Sequence, residues 1–329
     1  MGLLPCGAEP ATDTHAPREH SAPGQTAREP FMTTVSRWFF SLRAYSFPAS
    51  LMPVLLAAAL AATADLTVSW AMLPLYAIAA LLFHAGTNVL NDYYDYRHGV
   101  DRPSDPDPTH AITRGIVTPR FMAVSGHLYF AAGIVAGSLI ALERGTLFFV
   151  AGLAGALAAY FYTSARFSLK YRALGDVAVF LLMGPALTAL GYWALTGLVD
   201  ATALLASLPL AFFVTAILHG NNMRDIEADA AAGVDTVARR LGFGKSKALF
   251  VGLFVCGYAM VAAGLLAGLF RWTVLAIALS LPVAWAVLRQ VRAAGSGDAL
   301  IDLPARTAAF HLLFGVLYCA GVLVGGVVR

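Results

Sequence analysis

Two short segments carry most of the reactive side chains in this 329-residue sequence. In Asn88-Val-Leu-Asn91-Asp92-Tyr-Tyr-Asp95, residues 88 and 92, 91 and 95, and 92 and 95 stand three or four apart, which on a helix means one shared face. Asn221-Asn222-Met-Arg224-Asp225-Ile-Glu-Ala-Asp229 places Asn221, Asp225 and Asp229 in the same way. The two segments align with one another: Asn88 with Asn222, Asn91 with Asp225, Asp95 with Asp229, and Gly99-Val100-Asp101 with Gly233-Val234-Asp235. An oxygen-only donor set, with no Cys or His at ligand spacing, suits a hard ion such as Mg²⁺. That ion commonly bridges a carboxylate and a substrate phosphate. Arg114 and Arg224 lie beside the acidic segments, where a diphosphate needs counter-charge, whereas Arg120, Arg172, Lys245 and Lys247 read as ordinary loop anchors.

The elements that must position these groups are membrane helices. The chain is 59% hydrophobic and only 12% charged, about half the usual charge of a soluble domain. Nine apolar stretches, near 44–63, 69–94, 121–142, 146–163, 174–196, 202–222, 247–268, 271–291 and 306–327, are each long enough to cross a bilayer. Helix is the only single-segment form that satisfies its own backbone there. With the N-terminus inside, 19 of the 22 Lys and Arg residues fall on cytoplasmic segments, leaving Arg144, Arg271 and Arg329 on the other side. The expected fold is therefore all-α, a polytopic membrane protein of nine transmembrane helices arranged as two related four-helix halves plus one. Both acidic segments end helices on the cytoplasmic side, where clustered carboxylates are costly unless a cation joins them.

The net charge of +3 is too small to imply nucleic acid, and Cys6, Cys256 and Cys319 are too scattered for a disulfide framework or a metal site. Residues 1–35 lack both an apolar core and a periodic pattern and are expected to form a disordered tail; residues 36–329 form the membrane domain. Met32, at the head of Met-Thr-Thr-Val-Ser-Arg-Trp, is a candidate natural start.

From about residue 37 onward the chain resembles the UbiA superfamily of intramembrane prenyltransferases, most closely the 1,4-dihydroxy-2-naphthoate branch of menaquinone synthesis. The resemblance rests on Ser41-Leu-Arg-Ala-Tyr-Ser-Phe-Pro48 with Pro53, on Asn91–Asp95 with Gly99-Val-Asp101, on Tyr162-Thr with Leu169-Lys170-Tyr-Arg-Ala-Leu-Gly175-Asp176, and on Asn221–Asp229 with Arg239-Arg-Leu-Gly242. It implies Mg²⁺-dependent transfer of a prenyl group from an allylic prenyl diphosphate to an aromatic acceptor at an inner-membrane site open to the cytoplasm. Asn88, Asn91, Asp92, Asp95, Asp225 and Asp229 match the family's metal and diphosphate positions, with Asp92, Asp95, Asp225 and Asp229 as metal ligands and Asp101 a further candidate. Arg114, Lys170, Arg224, Arg239, Asn221 and Asn222 fall where the diphosphate is held. Some members carry a carboxylate where Gly99 stands, a departure that fits the naphthoate branch and argues against the 4-hydroxybenzoate branch.

Asp176 is open to two readings, orienting the acceptor hydroxyl or capping the fifth span. Tyr160, Tyr162, Phe180 and Tyr192 are candidates for a cation-stabilising wall and equally for ordinary helix contacts. His84 and His219 are expected to be satisfied by neighbouring helices. Other acceptors (homogentisate, haem, chlorophyllide or a lipid) remain open. A cation-coupled carrier is the rival from another class, disfavoured because carrier sites lie near the bilayer midplane.

Overall fold

The computed structural model describes residues 42–101, 111–164 and 168–326. The expected tail at 1–35 lies outside the described residues. Among them, nine helices are long and apolar enough to cross a membrane: α1 (Ala44–Ala62), α2 (Met72–Arg97), α3 (Pro119–Arg144), α4 (Thr146–Thr163), α5 (Gly175–Thr196), α6 (Ala201–Arg224), α8 (Val237–Leu266), α9 (Trp272–Ala293) and α10 (Gly297–Gly325). A seven-residue helix, α7 (Ile226–Ala232), sits between α6 and α8.

Local chemistry sets the ends. Thr118, Asp200 and Thr236 each accept a bond from a backbone N–H in the first turn of α3, α6 and α8, at 3.2, 2.7 and 3.2 Å. The largest departure from the apolar pattern is α8, which begins ten residues before the expected 247. Its first turn carries Arg239 and Arg240 and joins the longer span, which begins with Lys245 and Lys247 still among its early residues, through Gly242 at φ 72°, ψ 164°, a break available to glycine without strain. Charge hid this piece from a hydropathy reading.

Two contacts fix the motif-bearing helices. Leu90 of α2 occupies the space beside Gly126 of α3, where a Cβ would come within 2.7 Å. Phe213 of α6 packs edge-on against Phe254 of α8 and against Phe310 and Phe314 of α10, all four rings being fully or almost fully buried. Such aromatic packing orients the C-terminal turn of α6, which carries Asn221 to Arg224.

The internal repeat is realised in the backbone. After Asp95, Gly99 has φ 67°, Val100 N–H returns to the Asp95 carbonyl at 2.9 Å and Gly99 N–H to Tyr96 at 3.1 Å. After Asp229, Gly233 has φ 72°, Val234 N–H returns to the Asp229 carbonyl at 2.8 Å and Gly233 N–H to Ala230 at 3.3 Å. Both are Schellman endings, and in both the motif's last aspartate supplies the accepting carbonyl.

Candidate active site

The start of α1, the C-terminal turn of α2, the α4–α5 loop and the α6–α8 connection meet at one end of the bundle. Arg43 donates to Asp92 Oδ1 at 2.5 Å across 49 residues of sequence. Lys170 Nζ donates to Asp95 Oδ2 at 2.6 Å and to Asn91 Oδ1 at 3.2 Å. The Tyr171 hydroxyl donates to Asp95 Oδ1, Asn91 Nδ2 to Asp95 Oδ2 at 2.8 Å, and the Thr163 hydroxyl to Asn91 Oδ1 at 3.3 Å. The loop that carries Lys170 and Tyr171 is tied to the second motif, because Ala173 N–H donates to the Asp235 carbonyl at 2.6 Å. Lys170 thus stands between the two acidic segments.

In the second motif, Arg224 Nε and Nη2 clasp the two oxygens of Asp225, both at 2.7 Å, and the Thr236 hydroxyl donates to Asp229 Oδ2 at 3.3 Å. Burial pushes the Asp229 carboxyl up to about 7, with Asp225 and Asp95 adding to the rise and Lys170 opposing it. Burial likewise raises Asp101 to about 8, assisted by Asp95 and Asp92. Burial works against the Lys170 ammonium, yet Asp95, Tyr171 and Tyr162 outweigh it and its pKa lies above the ordinary lysine value. These mutual influences place Asp92, Asp95, Asp101, Asp225 and Asp229 in one electrostatic neighbourhood. Among the described residues these five carboxyl groups share the neighbourhood with three cations, Arg43, Lys170 and Arg224, and burial with crowding keeps Asp101 and Asp229 partly protonated near neutral pH.

Among the described residues, no three Asp, Glu, His or Cys side chains stand close enough to enclose an ion by themselves. The donor set nonetheless fits Mg²⁺, which takes one or two carboxylates and completes its shell with phosphate and water oxygens rather than with an all-protein cage.

An apolar cavity of about 280 Å³ runs from this end into the bundle, close to the lower end of the usual ligand-pocket range of about 300–1,000 Å³. Arg43, Asn88 and Asn221 line it nearest the cluster; Ile140, Phe148, Phe149, Leu187 and Leu190 line it deep in the bundle. Gly137, Gly152 and Gly155 also line it, and a Cβ on any of the three would meet open space.

Several expected site residues lie elsewhere. Asp176 does not cap α5: its oxygens accept from His219 Nδ1 at 2.7 Å and Asn222 Nδ2 at 3.2 Å, a buried group outside the cavity lining. Asn222 is therefore turned toward Asp176, while its neighbour Asn221 faces the cavity. Asn88 donates to the Leu42 carbonyl and to Ser46 Oγ, both at 3.2 Å. Arg114 is exposed, and Arg239 is exposed with its guanidinium on the Val234 carbonyl at 2.7 Å. Of the four aromatic candidates only Tyr162 lines the cavity; Tyr160 packs on Phe130, Phe180 on Phe212, and Tyr192 is buried in the core. His219 is held by Asp176 and by the Ser246 carbonyl at 3.2 Å, and His84 by two serines of α1. Arg43 and Tyr171 are the partners that sequence reasoning missed: Arg43 reads as one more positive-inside residue, and nothing in the spacing links it to Asp92.

The UbiA prenyltransferase family model matches residues 50–314. UbiA prenyltransferase domain-containing protein 1 of Gallus gallus is 32% identical over 293 residues, 87% of this chain and 84% of that protein. The Homo sapiens protein of the same name is 32% identical over 293 residues, 87% of this chain and 83% of that protein. A UbiA homologue from Archaeoglobus fulgidus, solved with DMAPP and Mg²⁺, shares the fold with a TM-score of 0.60 at 16% identity, covering 86% of this chain and 99% of that one. A homologue from Aeropyrum pernix K1 gives a TM-score of 0.64 at 17% identity, covering 86% and 98%. With the family match extending over most of its length and these relatives spanning the same region, the chain belongs to the UbiA prenyltransferase family.

Proposed function

We propose that this protein transfers a prenyl group from an allylic prenyl diphosphate to an electron-rich aromatic acceptor, a dihydroxynaphthoate such as 1,4-dihydroxy-2-naphthoate, in quinone synthesis of the menaquinone type. The observation that carries the reading is the meeting of two acidic motifs and Lys170 at the mouth of an apolar cavity. A membrane enzyme that handles a charged head and a lipid tail needs these two environments side by side. The Archaeoglobus fulgidus homologue's bound DMAPP and Mg²⁺ support the same pairing of ligand and ion here. The naphthoate branch is favoured by Gly99, which stands where some members of the family it resembles carry a carboxylate.

Asp92 and Asp95 from one motif and Asp225 and Asp229 from the other would hold Mg²⁺, with Asp101 in reserve at the rim. When bound, the ion neutralises charge that develops on the leaving diphosphate. Lys170, Arg43 and Arg224 supply fixed positive charge to the same group, Asn91 and Asn221 add amide contacts around it, and Asn88 holds the start of α1 through the Leu42 carbonyl and Ser46. The apolar wall below excludes water from the allylic cation, and the ring of Tyr162 offers that cation a π face. Arg114 and Arg239 are solvent-exposed and outside the cavity lining, so any part they take is capture of the diphosphate before it settles.

The charge asymmetry supports a cell-membrane protein with its N-terminus and active site on the cytoplasmic side. His98→Cys and Gly244→Cys, placed singly in a Cys-free chain, are expected to resist an impermeant thiol reagent in intact cells and to react once the membrane is opened; labelling of one alone in intact cells would put the motifs on opposite sides. The chemistry is tested with purified protein, Mg²⁺ and a prenyl diphosphate against a panel of naphthoate, homogentisate, haem, chlorophyllide and lipid acceptors, with the product identified by mass. Prenylated naphthoate with EDTA-sensitive diphosphate release is expected. Transfer to another acceptor alone removes the branch assignment, and no transfer to any acceptor removes the reading itself.

A further inference from the structure

Ser46 and Ser50 on α1 and His84 on α2 form one hydrogen-bonded polar cluster on the cavity wall, leading inward from Arg43 and Asn88 at its mouth. His84 lies two helical turns before Asp92, about 12 Å along the helix axis. A diphosphate at the acidic cluster and its allylic carbon would fill that length. His84 therefore lines the stretch of cavity beyond the diphosphate, where the reacting carbons would lie.

Hydrogen-bond accounting fixes how the three groups are arranged. Ser46 Oγ donates its one proton to the Arg43 carbonyl at 2.8 Å and accepts from Asn88 Nδ2 at 3.2 Å. His84 Nε2, 2.9 Å from the same oxygen, must then carry the hydrogen and donate. A neutral imidazole protonated at Nε2 leaves Nδ1 as an acceptor, and Ser50 Oγ lies 2.7 Å from it with a proton to give. The Phe47 ring, 5.6 Å away and edge-on, holds the imidazole from the α1 side. Ser50, buried and lining the cavity, is thus a hydroxyl polarised by a histidine whose tautomer is set by Ser46.

We propose that Ser50 and His84 are the acceptor subsite, binding a ring hydroxyl of the aromatic substrate and removing its proton as the ring attacks. The inference rests on the proposed prenyl transfer. In the step, the C1–O bond of the prenyl diphosphate breaks and its electron pair leaves on the diphosphate. A ring carbon bearing hydrogen forms the new bond to C1. The ring hydroxyl gives its proton to Ser50 Oγ while Ser50 gives its own to His84 Nδ1, which yields imidazolium and a ring ketone. As aromaticity returns, the ring-carbon proton departs with the diphosphate and the imidazolium restores the hydroxyl proton through Ser50. Nothing else is consumed.

The test compares a hydroxynaphthalene acceptor with its O-methyl ether, using purified protein, Mg²⁺ and one prenyl diphosphate. The wild type should favour the free hydroxyl by about 100-fold in kcat, the usual scale of a positioned base. In His84→Gln and Ser50→Ala, that preference should collapse to within about threefold while KM for the prenyl diphosphate moves by less than about twofold. The ratio is read within one preparation, so a partly misfolded variant does not distort it. A ratio that stays at the wild-type value in both variants overturns the inference, because loss of a merely structural contact slows both acceptors alike. A wild type that makes no prenylated product with either acceptor removes the functional reading instead, and the subsite with it.

Discussion

The two acidic motifs end on the same Schellman turn but are held by different means. The first lies on α2, an unbroken helix, and its carboxylates are gripped from outside: Asp92 by Arg43, and Asp95 by Lys170 and Tyr171. The second straddles a break. α6 stops at Arg224, Asp225 turns away from helical geometry at φ −97°, ψ 11°, and Asp229 rides on the seven-residue α7. Its cation is local, with Arg224 clasping the adjacent Asp225, and among the described side chains Asp229 takes its hydrogen bond from the Thr236 hydroxyl. One half of the site is thus gripped by partners from other parts of the chain; the other is built on a short element and held locally. A divalent ion would tie the second half to the first.

The sharpest break of that comparison is chemical. Asp95→Asn and Asp229→Asn should each lower turnover by at least about 100-fold, on the scale where about 1.4 kcal/mol is tenfold, with membrane insertion unchanged. Mg²⁺-dependent diphosphate release measures the loss. Retention of more than about a tenth of the wild-type rate in both would mean that these carboxylates are solvated helix ends, and that the motifs do not share a metal.

Removing the cations separates the halves in stability. Lys170→Met leaves the Asp95 carboxylate buried beside Asp92 without its ammonium, at a cost of about 3–5 kcal/mol. Arg224→Met uncovers Asp225, whose side chain is already 31% exposed to water that can take over its solvation, and should cost less than the change at Lys170. Thermal unfolding in detergent reads the difference. Equal losses would show that the first motif is no more dependent on its outside partners than the second.

The sequence made the first half easier to read than the second. Regular i, i+3 and i+4 spacing survives on an unbroken helix, so Asn88, Asn91, Asp92 and Asp95 declare a common face, and the repeat with Asn222 to Asp235 shows through in one register. The apolar spans declare themselves for the same reason. The break at Asp225 and the kink at Gly242 follow from backbone dihedrals, and the charges of Arg239 to Lys245 made the start of α8 look like loop. Arg43 with Asp92, Tyr171 with Asp95, and Asp176 with His219 and Asn222 are joined across 43 to 76 residues. Such pairs are products of helix packing, and no local pattern encodes them.

The burial and crowding of these carboxyl groups should appear as a pH dependence of stability. Asp229 and Asp101 have carboxyls raised to about 7 and about 8, well above an unfolded value of about 3.9. The folded chain therefore holds protons that the unfolded chain releases. Their contribution is complete below about pH 4 and is lost as pH rises through 7 and 8. Metal-free protein should melt lower at pH 8.5 than at pH 6, by on the order of 2 °C or more. Asp229→Asn should flatten the slope even as it abolishes turnover, and Mg²⁺ with a prenyl diphosphate should restore the wild-type melting point at pH 8.5. A melting point that rises from pH 6 to 8.5 without metal would contradict the raised carboxyls.

The smallest effect tests whether the short helix does the positioning. Gly99 and Gly233 have nearly equal positive φ, 67° and 72°, and a Cβ at either would meet nothing within 4 Å. Alanine at each position therefore carries backbone strain alone, about 1 kcal/mol, with no clash to blur the comparison. Gly99→Ala should keep most of its turnover, because Asp95 stays held by Lys170 and Tyr171 whatever its Schellman turn does. Gly233→Ala should lose several-fold in kcat at the same stability cost, because the turn is what sets Asp229 against Thr236. Matched unfolding and turnover measurements on the two variants decide it. Equal kcat losses would mean that α7 is as firmly anchored as α2, and the contrast between a gripped half and a loosely held half of the site would fall.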